Sequence, residues 1–420
     1  MTRQTCDVAV IGAGIIGLSI AFSLTEAGKT VTIIERGEMA MQASYGNAGA
    51  LAFSDIVPMA SPGIIGQAIK WLADPLGPLS IPPAYLPRIA PWLLRLWRAS
   101  LADRYAASVE AQVALMGLAQ QETEPLLARA GQADAIRSEG VLHLYETEAE
   151  FQASLPKWRL REEHGIALRH VQGDALAELQ PGLAPCLTRG TFVPGWKNVN
   201  DPYEVACGIG RAALAAGARL VQAQAQSLLA REDGVSVVLA DGTQVQARHA
   251  VLAGGAWSHR LARTVGDKIP LETERGYNTT LPAGAFDLKR QLTFGGHGFV
   301  ISPLACGLRV GGAVELGGLE RAPDYRRAQT MLAKAKRFLP GLDTEGGKQW
   351  MGFRPSLPDT LPVIGPSPRA ARIIYAFGHG HLGLTQSAAT ARLVRDIVLQ
   401  RQSPIPLEPY RPGRFAHQGL

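Results

Sequence analysis

The first forty residues pass through three hydrophobic textures. Val8, Ala9, Val10 and Ile11 form an unbroken apolar run, the pattern of a strand covered on both faces of a parallel sheet. From about Ile15 to Ala27 the apolar positions recur with helical spacing and stop at Gly28, which suits a left-handed helix terminus. A second apolar run, Val31 to Ile34, ends at Glu35. Together these segments predict a β-α-β unit. The texture then changes, with prolines at 58, 62, 75, 78, 82, 83, 87 and 91 and Trp71 among them. Helical patterns follow over Trp92–Ala99 and Ser108–Ala130, so an insertion leaves the first unit here.

Short strand-like pieces, Val141–Tyr145 and Thr191–Val193, point to a second sheet. A helix is expected from Asp201-Pro202 to Ala216, then strands near Leu220–Ala225 and Val235–Leu239. Asp241-Gly242 has the composition of a tight hairpin turn leading into Gln244–Ala247. The apolar stretch Ala250–Ala253 runs into Gly254-Gly255 as a return to the first sheet, and Ile373–Gln400 reads as strand, glycine turn and closing helix. The predicted architecture is α/β + β: a Rossmann-type nucleotide-binding domain from 1–57, 196–265 and 346–420, and a mixed-sheet substrate domain from 58–195 and 266–345. The proline-rich helical insertion occupies about 58–130.

Length and composition agree with two globular domains: 420 residues, 46% hydrophobic and 19% charged. The formal charge of +6 is spread out, and no basic run carries interleaved aromatics, so a nucleic-acid partner is not expected. Cys6, Cys186, Cys207 and Cys306 are far apart, with no CxxC and no Cys/His cluster. They read as reduced, mostly buried thiols, and no metal site is expected. The first strand starts too early for a signal peptide, and no apolar run reaches membrane-spanning length, so the expected location is cytoplasmic.

Gly12-Ala13-Gly14-Ile15-Ile16-Gly17 lies between the first strand and its helix, and Glu35 ends the next strand. Gly12 permits a tight turn, Gly14 lets backbone approach a pyrophosphate, and Gly17 packs helix on strand. The helix N-terminus at Ile15 and Ile16 faces phosphate charge, while Glu35, with Arg36 beside it, meets the ribose end. Three more stretches favour FAD over NAD. Ala43–Gly49 offers small residues with Ser44, Asn47 and Gly49 for a second phosphate, and Ala253, Gly254 and Trp257 return a glycine turn to the nucleotide. Gly378, His379, Gly380, His381, Leu382, Gly383, Leu384 and Thr385 precede the last helix and bring N–H groups to an electron-rich ring edge.

With these stretches in order, the chain resembles the D-amino-acid oxidase superfamily, and within it the bacterial D-amino-acid dehydrogenases. The resemblance is carried by GAGIIG with Glu35, SYGNAG at Ser44–Gly49, RGY at Arg275–Tyr277, GFRPSLPDTLPVIG at Gly352–Gly365 and GHGHLGLTQS at Gly378–Ser387. The proline-rich insertion and GHGHLG also resemble the branch acting on D-proline-type and hydroxyproline substrates. The resemblance implies that Arg354 holds the substrate carboxylate, which suits a permanently charged bidentate fork. A brace to Asp359 is the other reading of that arginine. Tyr277 is expected either to add a hydrogen bond to the carboxylate or to belong to the core. Phe353 stands where some relatives attach flavin through cysteine, so non-covalent FAD is expected.

The implied reaction removes hydride from Cα of a D-amino acid to flavin N5, giving an imine and then a 2-oxo acid; a cyclic substrate such as cis-4-hydroxy-D-proline stops at the cyclic imine. His379 and His381 are read as cofactor contacts rather than bases. Reduced flavin would pass its electrons to a quinone or a partner protein. The amphipathic segment Trp92–Arg98 presents Trp92, Leu93, Leu96 and Trp97 on one face, with Arg95 and Arg98 opposite. It serves either as a peripheral membrane contact or as a packing face. Two rivals stand beside this reading: a flavoenzyme for sarcosine, glycine or an L-imino acid, and a non-catalytic FAD-carrying subunit of a larger dehydrogenase.

Overall fold

The computed structural model describes residues 4–74 and 77–415; Pro75, among the prolines noted above, lies outside them. Strand β1 (Gln4–Ile11) pairs in parallel with β2 (Val31–Glu35) on one side and with Gln244–Leu252 on the other. Arg219–Gln222 extends the sheet beyond β2, and Ile373–Phe377 pairs in parallel with the far half of Gln244–Leu252. Val8, Ala9, Val10, Ile33 and Ile34 are almost wholly buried, as their unbroken apolar run requires.

Helix α1 (Ile15–Glu26) is apolar nearly all round because it is covered nearly all round. The helices Pro202–Ala215 and Gly383–Val398 pack on it. Its chain leaves through Gly28 at φ 80°. The Pro202–Ala215 helix starts as its sequence requires: the Asp201 carboxylate accepts from the N–H groups of Tyr203 and Glu204 at 2.9 and 3.2 Å. The hairpin at Asp241-Gly242 also forms, with Gly242 at φ 81° and Val235–Leu239 antiparallel to Gln244–Leu252.

The second sheet is mainly antiparallel. Its order is Lys348–Ser356, Glu272–Leu281, Gly307–Leu316, Phe299–Leu304, Gln291–Phe294, Val141–Tyr145, Arg189–Val193 and Arg169–Gln172. Two boundaries differ from the sequence reading. Lys348–Ser356, assigned there to the nucleotide-binding part, pairs along its whole length with Glu272–Leu281 and so belongs to the second sheet. A small third sheet joins Ala50–Leu51, Ile136–Arg137 and Lys197–Val199 across the intended divisions.

The insertion divides as well. The helix Ala102–Arg129 does not leave the nucleotide-binding core. Its Ala111, Leu115, Leu118, Ala119, Leu126 and Leu127 join the cluster built by α1 and the closing helix. The helix Leu86–Ala99 buries Ile89, Trp92, Leu96 and Ala99 against Ala60 and Leu316, with Leu93 half-buried. Most of the face proposed for a membrane is therefore packed; only its Trp97 is exposed, at 47%. No disulfide forms among the described residues, and the thiols are less buried than expected: Cys207 is buried, Cys6 intermediate, and Cys186 and Cys306 are exposed.

Candidate functional site

A cavity of about 840 Å³ lies where the C-terminal ends of the parallel strands meet the face of the second sheet. This is the crevice where open α/β sheets bind ligands. Ile11, Ile34, Glu35, Ala253 and Phe377 line it from the first sheet, and Tyr277, Gly312 and Arg354 line it from the second.

At the first end, the glycine turn is set by sterics. Gly12 has φ 108°, and a Cβ there would stand 2.5 Å from the Ala253 carbonyl oxygen. A Cβ on Gly17 would stand 1.9 Å from the Gly12 oxygen, so Gly17 lets α1 sit on the turn. A Cβ on Gly14 would meet only Ser44 Oγ, at 3.4 Å, so no side chain of its own covers the backbone there. Ile15 N–H donates to Ser44 Oγ at 2.9 Å, and Ile16 lines the wall. Glu35 accepts from Ala13 N–H at 2.8 Å and Gly37 N–H at 3.1 Å. A carboxylate accepts about four bonds, so capacity for hydroxyl donors remains. The Arg36 guanidinium lies 3.8 Å from the Trp257 ring centroid, and Trp257 meets Phe353 edge-on at 5.3 Å, making a wall beside Gly254.

Asn47 ties its own loop: Nδ2 donates to Ser44 O at 2.9 Å, and Oδ1 accepts from Gly49 N–H at 2.8 Å. Arg309, buried in the strand Gly307–Leu316, braces the same loop by donating to Asn47 O at 2.6 Å and Tyr45 O at 3.2 Å. Thr385 fastens the loop to the closing helix, accepting from Ala52 N–H and donating to Ala50 O at 3.0 and 3.1 Å. Gly378 and Gly380 have φ 87° and 54°, turning the chain so that Leu382, Gly383 and Leu384 start that helix at the cavity wall.

At the other end, Arg354 enters the cavity from Lys348–Ser356. Its Nη1 donates to Ala313 O at 2.8 Å and its Nη2 to Gly312 O at 3.3 Å. No carboxylate of the described residues lies within ion-pair distance of it. Burial works against its charge, and Glu274, its register partner on the next strand, supports it. The brace to Asp359 is excluded, because Asp359 takes Arg414 at 2.7 and 3.1 Å. Tyr277 lines the cavity, but its hydroxyl donates to Glu315 and accepts from Asp324 N–H at 3.1 Å. The hydroxyl proton is thus committed to Glu315 rather than directed at the space a substrate carboxylate would occupy. Burial first, and the Glu315 carboxylate in addition, push its pKa up to about 12.

The two histidines part company. His379 is buried, with Nε2 on Thr390 Oγ1 at 2.9 Å, and burial pushes its pKa down to about 3. His381 reaches the cavity with Nε2 3.3 Å from Asp55 Oδ2.

The family model for FAD-dependent oxidoreductases of the DAO type matches residues 7–397. The chain belongs to that family. A D-amino-acid oxidase of Bradyrhizobium diazoefficiens is 36% identical, over 97% of this chain and 98% of the relative. A D-amino acid dehydrogenase of Paramagnetospirillum magneticum is 30% identical, over 97% and 98%. Among solved structures, glycine oxidase from Geobacillus kaustophilus superposes with a TM-score of 0.77 at 24% identity, covering 99% of this chain and all of that one. L-proline dehydrogenase from P. horikoshii gives 0.76 at 18%, with both chains fully covered. These two show the fold.

The chain is thus an FAD-dependent oxidoreductase, and the cavity fits that cofactor. The uncovered backbone at Gly14 before α1, the spare acceptor capacity of Glu35 and the close approach of Gly12 to Ala253 suit a dinucleotide. Deeper in, Asn278 Oδ1 is a buried acceptor without a partner on the cavity wall. The residue before Arg354 is Phe353, which offers no thiol for attachment.

The sequence reading missed Asp55, His143, Arg161, Glu274 and Arg309, all of which line the cavity. One signal was available: each of Asp55, His143 and Arg309 is a lone ionisable residue in a largely apolar stretch, where burial demands a partner or a purpose.

Proposed function

We propose that this enzyme oxidises the Cα–N bond of a small D-amino acid, producing an imine that water hydrolyses to a 2-oxo acid. The observation that carries the reading is Arg354. It is a half-buried guanidinium facing the cavity, held in place by two backbone carbonyls and paired with no protein carboxylate among the described residues. Such a fork binds a substrate carboxylate bidentately and sets where Cα lies. FAD, when bound, supplies the acceptor for the hydride that leaves Cα. The D configuration is supported by the curated relatives, named D-amino-acid oxidase and D-amino acid dehydrogenase.

Anaerobic mixing of the holoenzyme with a panel of D- and L-amino acids tests this, with sarcosine, glycine and cis-4-hydroxy-D-proline included. Bleaching of the flavin by D members is expected. Reduction by L or N-methyl substrates alone, or by none, overturns the reading; the last result would make the protein a carrier subunit.

We also propose that the electrons leave to a quinone at an anionic membrane surface. The support is the exposed side of the helix Leu86–Ala99, which shares only Trp97 with the face chosen from sequence. Leu86, Leu94, Trp97 and Leu101 are all more than 40% exposed along Leu86–Ala99 and its C-terminal exit, and so are Ile65, Ile69 and Leu72 along Ile64–Leu72. Lys70, Arg88, Arg95 and Arg98 lie among them, a composition suited to anionic headgroups. No helix of the described residues is long and apolar enough to cross a bilayer. Co-sedimentation with phosphatidylglycerol vesicles is expected, and to be lost in Leu94→Ser/Trp97→Ser. Wild type remaining in the supernatant refutes the contact.

A further inference from the structure

Within the amino-acid reading above, one chemical requirement has no group assigned to it. An α-amino acid arrives as an ammonium ion, whose nitrogen has no lone pair to form a C=N bond as hydride leaves. We infer that His381, held by Asp55, is the base that takes the proton from the substrate ammonium, with Asp55 acting as its positioning residue.

The placement is geometric. His381 sits in the turn before the closing helix, and that turn is stapled to the strand carrying Arg354. Gly380 N–H donates to Pro355 O at 2.7 Å, and His379 bridges Ser356. The carboxylate anchor and the imidazole are therefore set relative to one another by backbone contacts. Both line the same cavity, where 48% of the His381 side chain is exposed.

Asp55 is fixed in turn from the other side. Arg161 donates to Asp55 Oδ1 at 2.9 Å and to Ser54 O at 3.0 Å. Partial burial would raise the Asp55 pKa, but the bond from His381 and the Arg161 charge bring it down to about 2. Asp55 is thus a carboxylate, and it selects the tautomer in which Nε2–H donates to it. Nδ1, which has no partner among the described residues, is left bare to accept. Burial alone would lower the His381 pKa; the Asp55 bond and charge, with Glu274 nearby, outweigh this and the opposing Arg354, so it lies above the ordinary histidine value. Beyond Asp55 the charged and titratable neighbours are Arg161, Lys157 and His143, and His143 is held neutral with a pKa near 3 by burial and by Arg161.

The step balances. The ammonium N–H bond breaks, its electron pair stays on nitrogen, and the proton goes to Nδ1. The freed pair forms the C=N bond as the Cα hydride leaves to the bound oxidant, and the imidazolium then loses its proton to water.

The test is kcat/KM between pH 5.5 and 10 for wild type, Asp55→Asn and His381→Asn holoenzymes. Alongside it, the His381 ring is titrated by 13C NMR of histidine-labelled holoenzyme, and FAD content is recorded. The base must be neutral. Wild-type kcat/KM should therefore fall tenfold per unit as pH drops through the NMR midpoint, which lies above the ordinary histidine value.

In Asp55→Asn both the midpoint and the kinetic limb should move to lower pH together. In His381→Asn, kcat/KM should drop by about 100-fold or more near pH 7.5, within the usual range for a lost general base. It should then climb with pH towards wild type as the free amine loses its own proton. A uniform loss at every pH, or an acidic limb unchanged in both variants, overturns the base. If His381→Asn loses FAD, Asp55→Asn decides alone: an unmoved midpoint or limb overturns the inference. Wild type that no amino acid reduces overturns the amino-acid reading instead, and this inference with it.

Discussion

Gly276→Ala separates positioning of the arginine from binding of the cofactor. Gly276 lies on Glu272–Leu281 opposite Gly352, outside the left-handed backbone region, so its backbone accepts alanine. A Cβ built there falls 2.3 Å from Arg354 Nη2, 2.4 Å from Cζ and 2.9 Å from Nε. Ordinary contact begins near 3.4 Å, so the guanidinium must shift by about 1 Å. That shift breaks or stretches the bonds of 2.8 and 3.3 Å to Ala313 O and Gly312 O. A misplacement of about 1 Å at a substrate-orienting group costs about 100-fold, and losing a charge-assisted contact costs about 2–3 kcal/mol, a similar figure. The expected outcome is therefore a fall in kcat/KM of about 30- to 200-fold with full FAD occupancy, read from the visible flavin band against protein. Gly117→Ala is the control: Gly117 lies in Ala102–Arg129 with nothing within 4 Å of its Cβ position, and its activity should not change. Wild-type kinetics in Gly276→Ala would show that Arg354 does not anchor the substrate. Loss of FAD would show damage to the fold rather than to a contact.

Arg354→Lys keeps the charge but not the fork, and should lower kcat/KM by about 30-fold or more with FAD retained; near-normal kinetics would make the arginine structural. Glu35→Ala should weaken FAD by about ten- to a hundredfold, on a loss of about 1.5–3 kcal/mol, while kcat at saturating FAD holds. Normal FAD affinity with slow turnover would displace Glu35 from the nucleotide end. His379 gives a pH effect on stability. Its folded pKa is near 3, whereas the unfolded chain takes the proton near 6.5, so its contribution is present above pH 6.5 and is lost as pH falls. At pH 5.5 the loss is about 1.4 kcal/mol. Urea unfolding at pH 7.5 and 5.5 should show His379→Asn losing about that much less than wild type; equal losses would remove His379 as the cause.

What the sequence disclosed was local. The β-α-β unit follows from an apolar run, a helical period and glycines whose spacing has a steric meaning, all within 35 residues. The hairpin at Asp241-Gly242 and the Asp201 cap are equally short-range. Asp55 and His381 are 326 positions apart, and no periodicity relates them. His379 and His381, two residues apart, look alike in a glycine-rich turn. Only the burial of one on Thr390 and the exposure of the other towards Asp55 tell them apart. Lys348–Ser356 was grouped with the nucleotide-binding part because its strand partner, Glu272–Leu281, is distant in sequence. Trp92 and Leu96 looked like a membrane face because amphipathicity marks an apolar stripe without saying what covers it.

The second sheet shows why a single charged side chain can dominate the site. Gly276, Gly311, Gly312 and Gly352 sit on three neighbouring strands and all line the cavity. Glycine inside a strand costs about 0.5–1 kcal/mol relative to alanine, so a cluster of four needs a reason. Here two reasons coincide. Side chains have no room: a Cβ would meet the Trp350 ring at 1.9 Å from Gly352, Gly298 O at 2.3 Å from Gly312, and Asn278 Cβ at 3.0 Å from Gly311. The sheet therefore presents bare backbone to the cavity, and its carbonyls at Gly312 and Ala313 accept from the Arg354 guanidinium. The floor that makes room for a flat cofactor and a small substrate is also the surface that aims the arginine. A side chain at Gly352, Gly312 or Gly311 would first displace Trp350, the Gly298–Phe299 backbone or Asn278, whereas one at Gly276 meets the Arg354 guanidinium itself, so Gly276 is the position at which charge placement is perturbed most directly.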